Sequence, residues 1–338
     1  MSENTYKNFK RFFIFLTAVI VLLEIRGIFD LRRMPDDGYR TDGFHTVIRI
    51  LPDSPAEKAG FMLGDRILTD GGIDVEDTKA LAERRPWAIV GERRTYNIER
   101  NGENMRLELT FEVQSGRQIA LSVMRAVIGF SFLFIGLWSF MKVRNKSTAL
   151  LTLVGAGLAV ALINELYLSS SLMARLLSLR SILMIFGFVF FLHFMLIFPE
   201  EKPVMMKKNI MFILYSPAVL VSLFALSIII FKPDRTGTLN MISNLLFTVY
   251  MVVCLVLSLI TMIRSYIKTA PDVRSTNGLN FMLYGIVIGL IPIILTLTSG
   301  VIAPSFIPPG RDFYPVFLIL IPFSLAYACV KTGPDSSE

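Results

Sequence analysis

Residues 46–68 read TVIRILPDSPAEKAGFMLGDRIL, and this stretch decides how the chain is organised. Val47, Ile48, Ile50 and Leu51 predict a strand. Ser54 is placed to cap a short helix, with Pro55 at its first position, where the missing amide costs nothing. Ala59-Gly60 ends that helix, and Gly64-Asp65 turns into a strand over Arg66–Thr69. Gly71-Gly72 predicts the next hairpin, and Val75 leads to a helix over 77–84. Asn101-Gly102, between 96–100 and 105–111, is a strong two-residue hairpin signal. Residues 38–115 therefore predict a small α+β domain with alternating charged and apolar positions.

The sequence on either side is different in kind. The chain as a whole is 53% hydrophobic and 18% charged, with a mean hydropathy of +0.58. Soluble domains carry charge on about a quarter of their residues. Apolar runs of about twenty residues, the length a spanning helix needs, recur after Gln118. They predict spans over 119–141, 149–167, 181–198, 210–231, 241–263, 280–300 and 313–330. An earlier run, 12–23, follows Lys7, Lys10 and Arg11 and has no small-x-small cleavage site after it, so residues 1–30 predict an uncleaved signal anchor. The expected fold class is a polytopic α-helical membrane protein of about eight spans with an inserted extracytoplasmic α+β domain. Its parts are the anchor (1–30), the soluble domain (38–115), a seven-helix block (117–331) and a short tail (332–338). Pro217, Pro292 and Pro322 fall inside predicted spans and predict kinks.

Charge placement predicts orientation. The net charge is +7, yet residues 40–112 hold 14 acidic and 11 basic side chains. The positive excess lies elsewhere: at the N-terminus, at Lys142, Arg144 and Lys146, at Lys202, Lys207 and Lys208, at Arg264, Lys268 and Arg274, and at Lys331. Those loops share one side when eight spans alternate, which predicts cytoplasmic termini in a bacterial inner membrane and an external soluble domain. A nucleic-acid binder would carry its basic patch on the folded domain, so no nucleic-acid partner is expected. Cys254 and Cys329 lie within predicted spans and have no neighbour at metal or redox spacing.

The 46–68 stretch and the hairpins that follow resemble a PDZ domain of the bacterial periplasmic-protease type. The resemblance covers residues 39–112. It implies strand addition, in which an extended peptide or a protein C-terminus pairs with an exposed strand edge while loop amides take its carboxylate. The residues it points to are Asp42, Gly43, Phe44 and His45 in the loop, Val47 on an edge strand over 45–50, and Thr78 and Leu81 on a facing helix. Asp42 is out of keeping with an anion site, so an internal peptide segment is the alternative ligand. A spacer or homodimer surface is the alternative role for the whole domain.

Ionisable residues inside spans default to functional candidates. They are Arg125 and Glu165, at similar depth on adjacent predicted spans and expected to pair, and His193, expected to bond a neighbouring helix backbone. His193 lies in LHFMLIFPE, residues 192–200. One external PDZ-like domain, a span ending in that stretch and a last span reading PFSLAYACVK resemble the membrane half of bacterial sensor histidine kinases of the competence-pheromone type. That resemblance implies detection of an external or intramembrane signal and a cytoplasmic, histidine-kinase-like partner. The kinase's phosphoacceptor histidine and nucleotide-binding glycines are missing here.

Enzyme chemistry is not expected. A zinc protease needs HExxH, and the two histidines, His45 and His193, fall outside any such motif and on opposite predicted sides. Ser131 and Ser139 have no motif that would pair them with a base. No metal or cofactor is expected, and membrane lipid is the remaining partner. The alternative function is a non-catalytic scaffold whose soluble domain recruits envelope proteins or protease substrates.

Overall fold

The structure, a computed structural model, describes residues 3–42, 44–77, 80–81, 88–164, 166, 170–231, 237–302, 308 and 310–332. The first helix, α1, spans Glu3–Asp30 and runs directly into the soluble module. The module opens with β1 (Pro35–Asp36), β2 (Tyr39–Thr41) and β3 (Val47–Ile50), then the single turn α2 (Pro55–Lys58). It continues through β4 (Arg66–Asp70), β5 (Ile73–Asp74), β6 (Arg93–Arg100), β7 (Glu103–Thr110) and β8 (Glu112–Val113). β1 pairs antiparallel with β8, so the two ends of the module are hydrogen-bonded to each other and the module begins slightly before the predicted residue 38.

Local chemistry accounts for each turn. Ser54 Oγ accepts from the Glu57 amide, and Pro55 takes the first helical position, as predicted. Asn101 and Gly102, both at positive φ, join Arg100 to Glu103, and Gly71 and Gly72 join Asp70 to Ile73 in the same way. Two consecutive left-handed residues match the twist of the strands they connect. The strand order β5-β4-β6-β7 follows, with antiparallel register throughout. The core packs Val47, Phe61, Ile67, Tyr96, Ile98 and Leu109. Tyr39 stacks on Phe61, and Tyr96 meets both rings edge-on. Burial holds the Tyr39 and Tyr96 phenols well above the ordinary tyrosine range.

The membrane body consists of α3 (Gly116–Lys142), α4 (Lys146–Leu162), α5 (Ser170–Ile197), α6 (Ile210–Phe231), α7 (Gly237–Lys268), the short α8 (Pro271–Thr276) and α9 (Leu279–Ile302). A 3₁₀ segment, Arg311–Ile319, then continues into α10 (Leu320–Lys331). Seven helical stretches among the described residues are long and apolar enough to cross a bilayer: α1, α3, most of α5 and of α6, the body of α7, α9, and the 3₁₀ segment joined to α10. The chain is thus a polytopic helical membrane protein. The eighth predicted span, 149–167, forms the 17-residue α4. At 1.5 Å per residue it reaches only about 26 Å, short of the ~30 Å hydrocarbon core. Most of its residues are buried, because α3 and α5 flank it, so its neighbours rather than lipid set its surroundings.

Glycine makes that packing possible. A Cβ on Gly157 would lie 2.6 Å from Gly187 Cα, and one on Gly155 would lie 2.4 Å from the Phe132 carbonyl oxygen. Small residues let membrane helices approach backbone to backbone, which gives dispersion contact where no hydrophobic force acts between helices. Thr152 Oγ1 adds a bond across to the Gly136 carbonyl of α3 at 2.9 Å. Pro217 and Pro292 lie inside helices as predicted. Pro322 lies inside the span formed by the 3₁₀ segment and α10, three residues past the junction of the two.

Candidate functional site

The predicted peptide-binding loop is a closed turn. Asp42 Oδ1 accepts from the amides of Phe44 (2.8 Å) and Thr46 (2.9 Å), and the Asp42 amide donates to the Thr46 carbonyl. The amides expected to take a ligand carboxylate therefore already hold a carboxylate from the chain itself, which is the physical meaning of the out-of-place Asp42. Gly43 and Thr78 lie outside the described residues. Phe44 is exposed, and His45 sits at φ 62 within the turn.

The predicted edge strand is covered at one end. β3 pairs with β2 on one side. On the other, the Val47 amide donates to the Asp65 carbonyl (2.7 Å), the Val47 carbonyl accepts from Gly64 (2.9 Å), and the His45 carbonyl accepts from Ile67 (3.0 Å). The 45–47 end of the predicted edge is thus covered, and Val47 is a core residue. Among the described residues no strand pairs with the far side of β2. The Gly38 carbonyl accepts from Leu51 and the Asp42 amide faces Thr46, so antiparallel alternation turns the Tyr39 and Thr41 backbone outward. Leu81 is half-buried, and its amide bonds the Asp77 carbonyl in the first turn of the predicted helix.

A second arrangement joins module to bundle. Arg49 on β3 forms a forked ion pair with Asp312 in the 3₁₀ segment, at 2.8 and 3.2 Å. Arg117, in the first turn of α3, approaches the same carboxylate at 3.4 Å. Beside it, Gln118 caps α3 together with Ser115 and also donates to Asp36 Oδ2 of β1 at 2.9 Å. One acidic residue thus bridges a strand of the module, the start of α3 and the start of the last helix. Sequence reading missed this site: Arg49 and Asp312 are 263 residues apart, and neither carries a local motif.

Inside the bundle the predicted Arg125–Glu165 pair cannot be followed, because Glu165 lies outside the described residues. Arg125 donates to Ser122 Oγ on its own helix at 2.9 Å. Among the described residues the carboxylate near this depth is Glu24 of α1, which is buried. It accepts from the Asn164 amide (2.9 Å) and from Asn164 Nδ2 (2.7 Å), and Nδ2 also reaches the Ser122 carbonyl. From its place just past the first apolar run, the sequence predicts an interfacial Glu24. Gly27, whose missing side chain leaves room for the Asn164 backbone, was the available clue to close contact. His193 bonds a neighbouring helix, but a side chain there rather than the expected backbone: Nδ1 lies 2.7 Å from the Tyr215 hydroxyl of α6.

Two cavities flank this framework. An apolar groove of about 200 Å³ lies between α1 and α5 on the module's side of the bundle. A polar hollow of about 680 Å³ lies at the opposite end, between residues 199–204 and the end of α7, and includes Glu200, Glu201, Lys202, Arg264 and Lys268. Among the described residues no group of three or more His, Cys, Asp or Glu side chains is placed to hold a metal. The chain matches no family model, no curated protein and no solved structure.

Proposed function

We propose that the chain is a membrane receptor or sensor module. In this reading the soluble α+β module is PDZ-like and faces the exterior of a bacterial inner membrane. It receives an extended peptide or protein segment along the free edge of β2, and the bundle passes the event to a cytoplasmic, histidine-kinase-like partner. The observation that carries the reading is the Arg49–Asp312–Arg117 bridge. It connects the strand next to the free edge with two membrane helices, so a change in β2–β3 geometry acts directly on the ends of α3 and α10. The order strand, capped turn of helix, strand and hairpin supports the PDZ-like assignment. The hollow around Lys202 and Arg264 offers the partner a polar surface on the far side.

Backbone pairing at an edge needs donors, and Thr41 supplies an outward amide. The test is panning of a displayed random-peptide library against the full chain in lipid nanodiscs, with Thr41→Pro as comparison. Enrichment of extended sequences that Thr41→Pro loses supports edge capture. Enrichment no greater than on empty nanodiscs overturns it.

A further inference from the structure

We propose that β7 is the contact surface for a second copy of this chain: two β7 strands pair antiparallel about a two-fold axis at Leu107 and join the two sheets into one. β7 (Glu103–Thr110) ends the strand order β5-β4-β6-β7, and among the described residues no strand pairs with its far side. The opposite edge strand, β5, has two residues. β7 has eight, each opposed to β6 without a register shift. An edge that long and regular, with no proline or bulge, is a template for a further strand. Parity fixes which groups it offers. Phe111, just past β7, bonds inward: its amide donates to the Glu92 carbonyl at 2.9 Å and its carbonyl accepts from Gly91 at 2.7 Å. Backbone direction alternates along an antiparallel strand, so Asn104, Arg106, Glu108 and Thr110 turn their amides and carbonyls outward. All four are exposed. β1 occupies the same edge from Glu112 on, so the open stretch ends at Thr110.

The side chains choose the partner and the register. Outward groups must meet outward groups, so the two-fold axis sits on a residue rather than between two. Placed on Arg106 or Glu108, it sets like charges opposite each other. Placed on Leu107, it sets Arg106 of each copy against Glu108 of the other, and Asn104 against Thr110. Met105 then meets Leu109 on the other face of the sheet. Centres further from Leu107 shorten the pairing. Opposite charges directly across a strand pair attract and like charges repel. Within its own sheet Arg106 stands opposite Asn97, and Glu108 stands opposite Thr95. Among the described residues Arg106 reaches the Thr95 hydroxyl at 3.3 Å, and Glu108 has no ion-pair partner. A strand whose charges complement themselves in one register fits a second copy better than an arbitrary segment. Such pairing also closes after two copies, so the edge is covered and not passed on. Nothing in this inference depends on peptide capture at β2.

The test uses the full chain in liposomes, with half the copies carrying a donor dye and half an acceptor. The parent chain should show energy transfer above that of chance encounter. Arg106→Glu and Glu108→Arg, each alone, should lower association at least tenfold, because each sets like charges opposite one another. Mixing the two variants should restore association to within threefold of the parent, since every opposed pair is then again of unlike charge. Misfolding would not be repaired by mixing. A parent chain with no excess transfer overturns the proposal, and so does a mixture no better than either variant alone. Disulfides read the register. At Leu107 the two strands would form a non-hydrogen-bonded pair with Cα atoms about 4.5 Å apart, within reach of a disulfide. Leu107→Cys should therefore crosslink readily with an added oxidant; the native Cys254 and Cys329 are buried. The two Arg106 positions would be diagonal neighbours, about 7–8 Å apart, at or beyond that reach. Arg106→Cys should crosslink at least tenfold more slowly. Equal rates, or faster crosslinking through Arg106→Cys, overturn the register and with it the proposal.

Discussion

The module and the bundle are held together by opposite means. In the module, polar groups at turns do much of the organising. Asp65 is buried, yet it takes two bonds from Arg100 (2.7 and 2.8 Å) and one from the Met62 amide. Asp42 closes its own loop, and Ser54 caps its own helix. In the membrane body the close contacts come from absent side chains, at Gly155, Gly157 and Gly187, and from isolated buried pairs such as Glu24 with Asn164. Water drives apolar surface together in the first region. Lipid supplies no such force in the second, so steric fit and satisfied polar groups take its place. Substitutions that remove fit should therefore damage the bundle most, and substitutions that remove charge should be felt first in the module.

The largest effect is expected at the helix crossings. Gly157→Leu would drive a side chain into the Gly187 backbone, and neither helix backbone can yield cheaply. Overpacking costs about 1–3 kcal/mol and more where backbone is struck, so a loss of about 3 kcal/mol or more is expected, read as loss of the monodisperse species in detergent. Gly116→Leu, with no atom near its added Cβ, should behave as the parent chain. Next comes Glu24→Ala. It strands two buried donors of Asn164 and should cost about 2–3 kcal/mol, with Glu24→Gln recovering part of the loss. Thermal unfolding of the detergent-solubilised chain measures both. If Gly157→Leu proves as mild as Gly116→Leu, the contrast between the two regions fails on the bundle side.

Legibility in the sequence followed the same division. The capped turn at Ser54-Pro55 and the hairpins at Gly71-Gly72 and Asn101-Gly102 could be read because each is decided by neighbours within a few residues. Span positions could be read because hydropathy is additive along the chain. The 17-residue α4 shows where that rule runs out: burial by α3 and α5, not length, determines its place. Which strand forms an edge is a tertiary fact. Asp65 and Gly64 arrive from beyond α2 to bond Val47 at the start of β3, and no local pattern announces it. The Glu24–Asn164 and Arg49–Asp312 contacts, 140 and 263 residues apart, were beyond reach for the same reason.

Acid sharpens the comparison on the module side. Burial pushes the Asp65 carboxyl up, but the Arg100 guanidinium and the Met62 amide outweigh it and hold the group below the usual carboxylate range. A depressed carboxyl stabilises the fold fully above its unfolded value, about 3.9, and loses that contribution as pH falls through the folded value. Asp37 acts with the opposite sign, because burial, with Asp36 nearby, raises it. Comparing Asp65→Asn with the parent chain isolates the Asp65 share. At neutral pH the variant should lose about 2 kcal/mol, the worth of charged hydrogen bonds to a buried group, and the gap should close below about pH 4. Module unfolding followed by near-ultraviolet circular dichroism measures it, and a gap that stays constant down to pH 3 would remove Asp65 from the account.

The smallest thermodynamic effect is expected where the two regions meet. Asp312→Asn weakens a partly buried pair with Arg49 that water still reaches, and screening by water and salt keeps such a pair to about 1 kcal/mol. The unfolding temperature should therefore barely move. What should change is the angle between module and bundle, since Asp312 also draws in Arg117, next to the Gln118–Asp36 bond. Spin labels at exposed Arg106 on β7 and exposed Lys142 at the end of α3 would report the spread of distances between the regions. Asp312→Asn should broaden that spread while leaving stability nearly unchanged, and raised salt should broaden it in the parent chain but not further in the variant. If the variant loses stability without any broadening, Asp312 is a packing residue and the two regions are coupled elsewhere. Broadening without loss of stability would make the bridge a separable joint, as the proposed transmission from module to bundle requires.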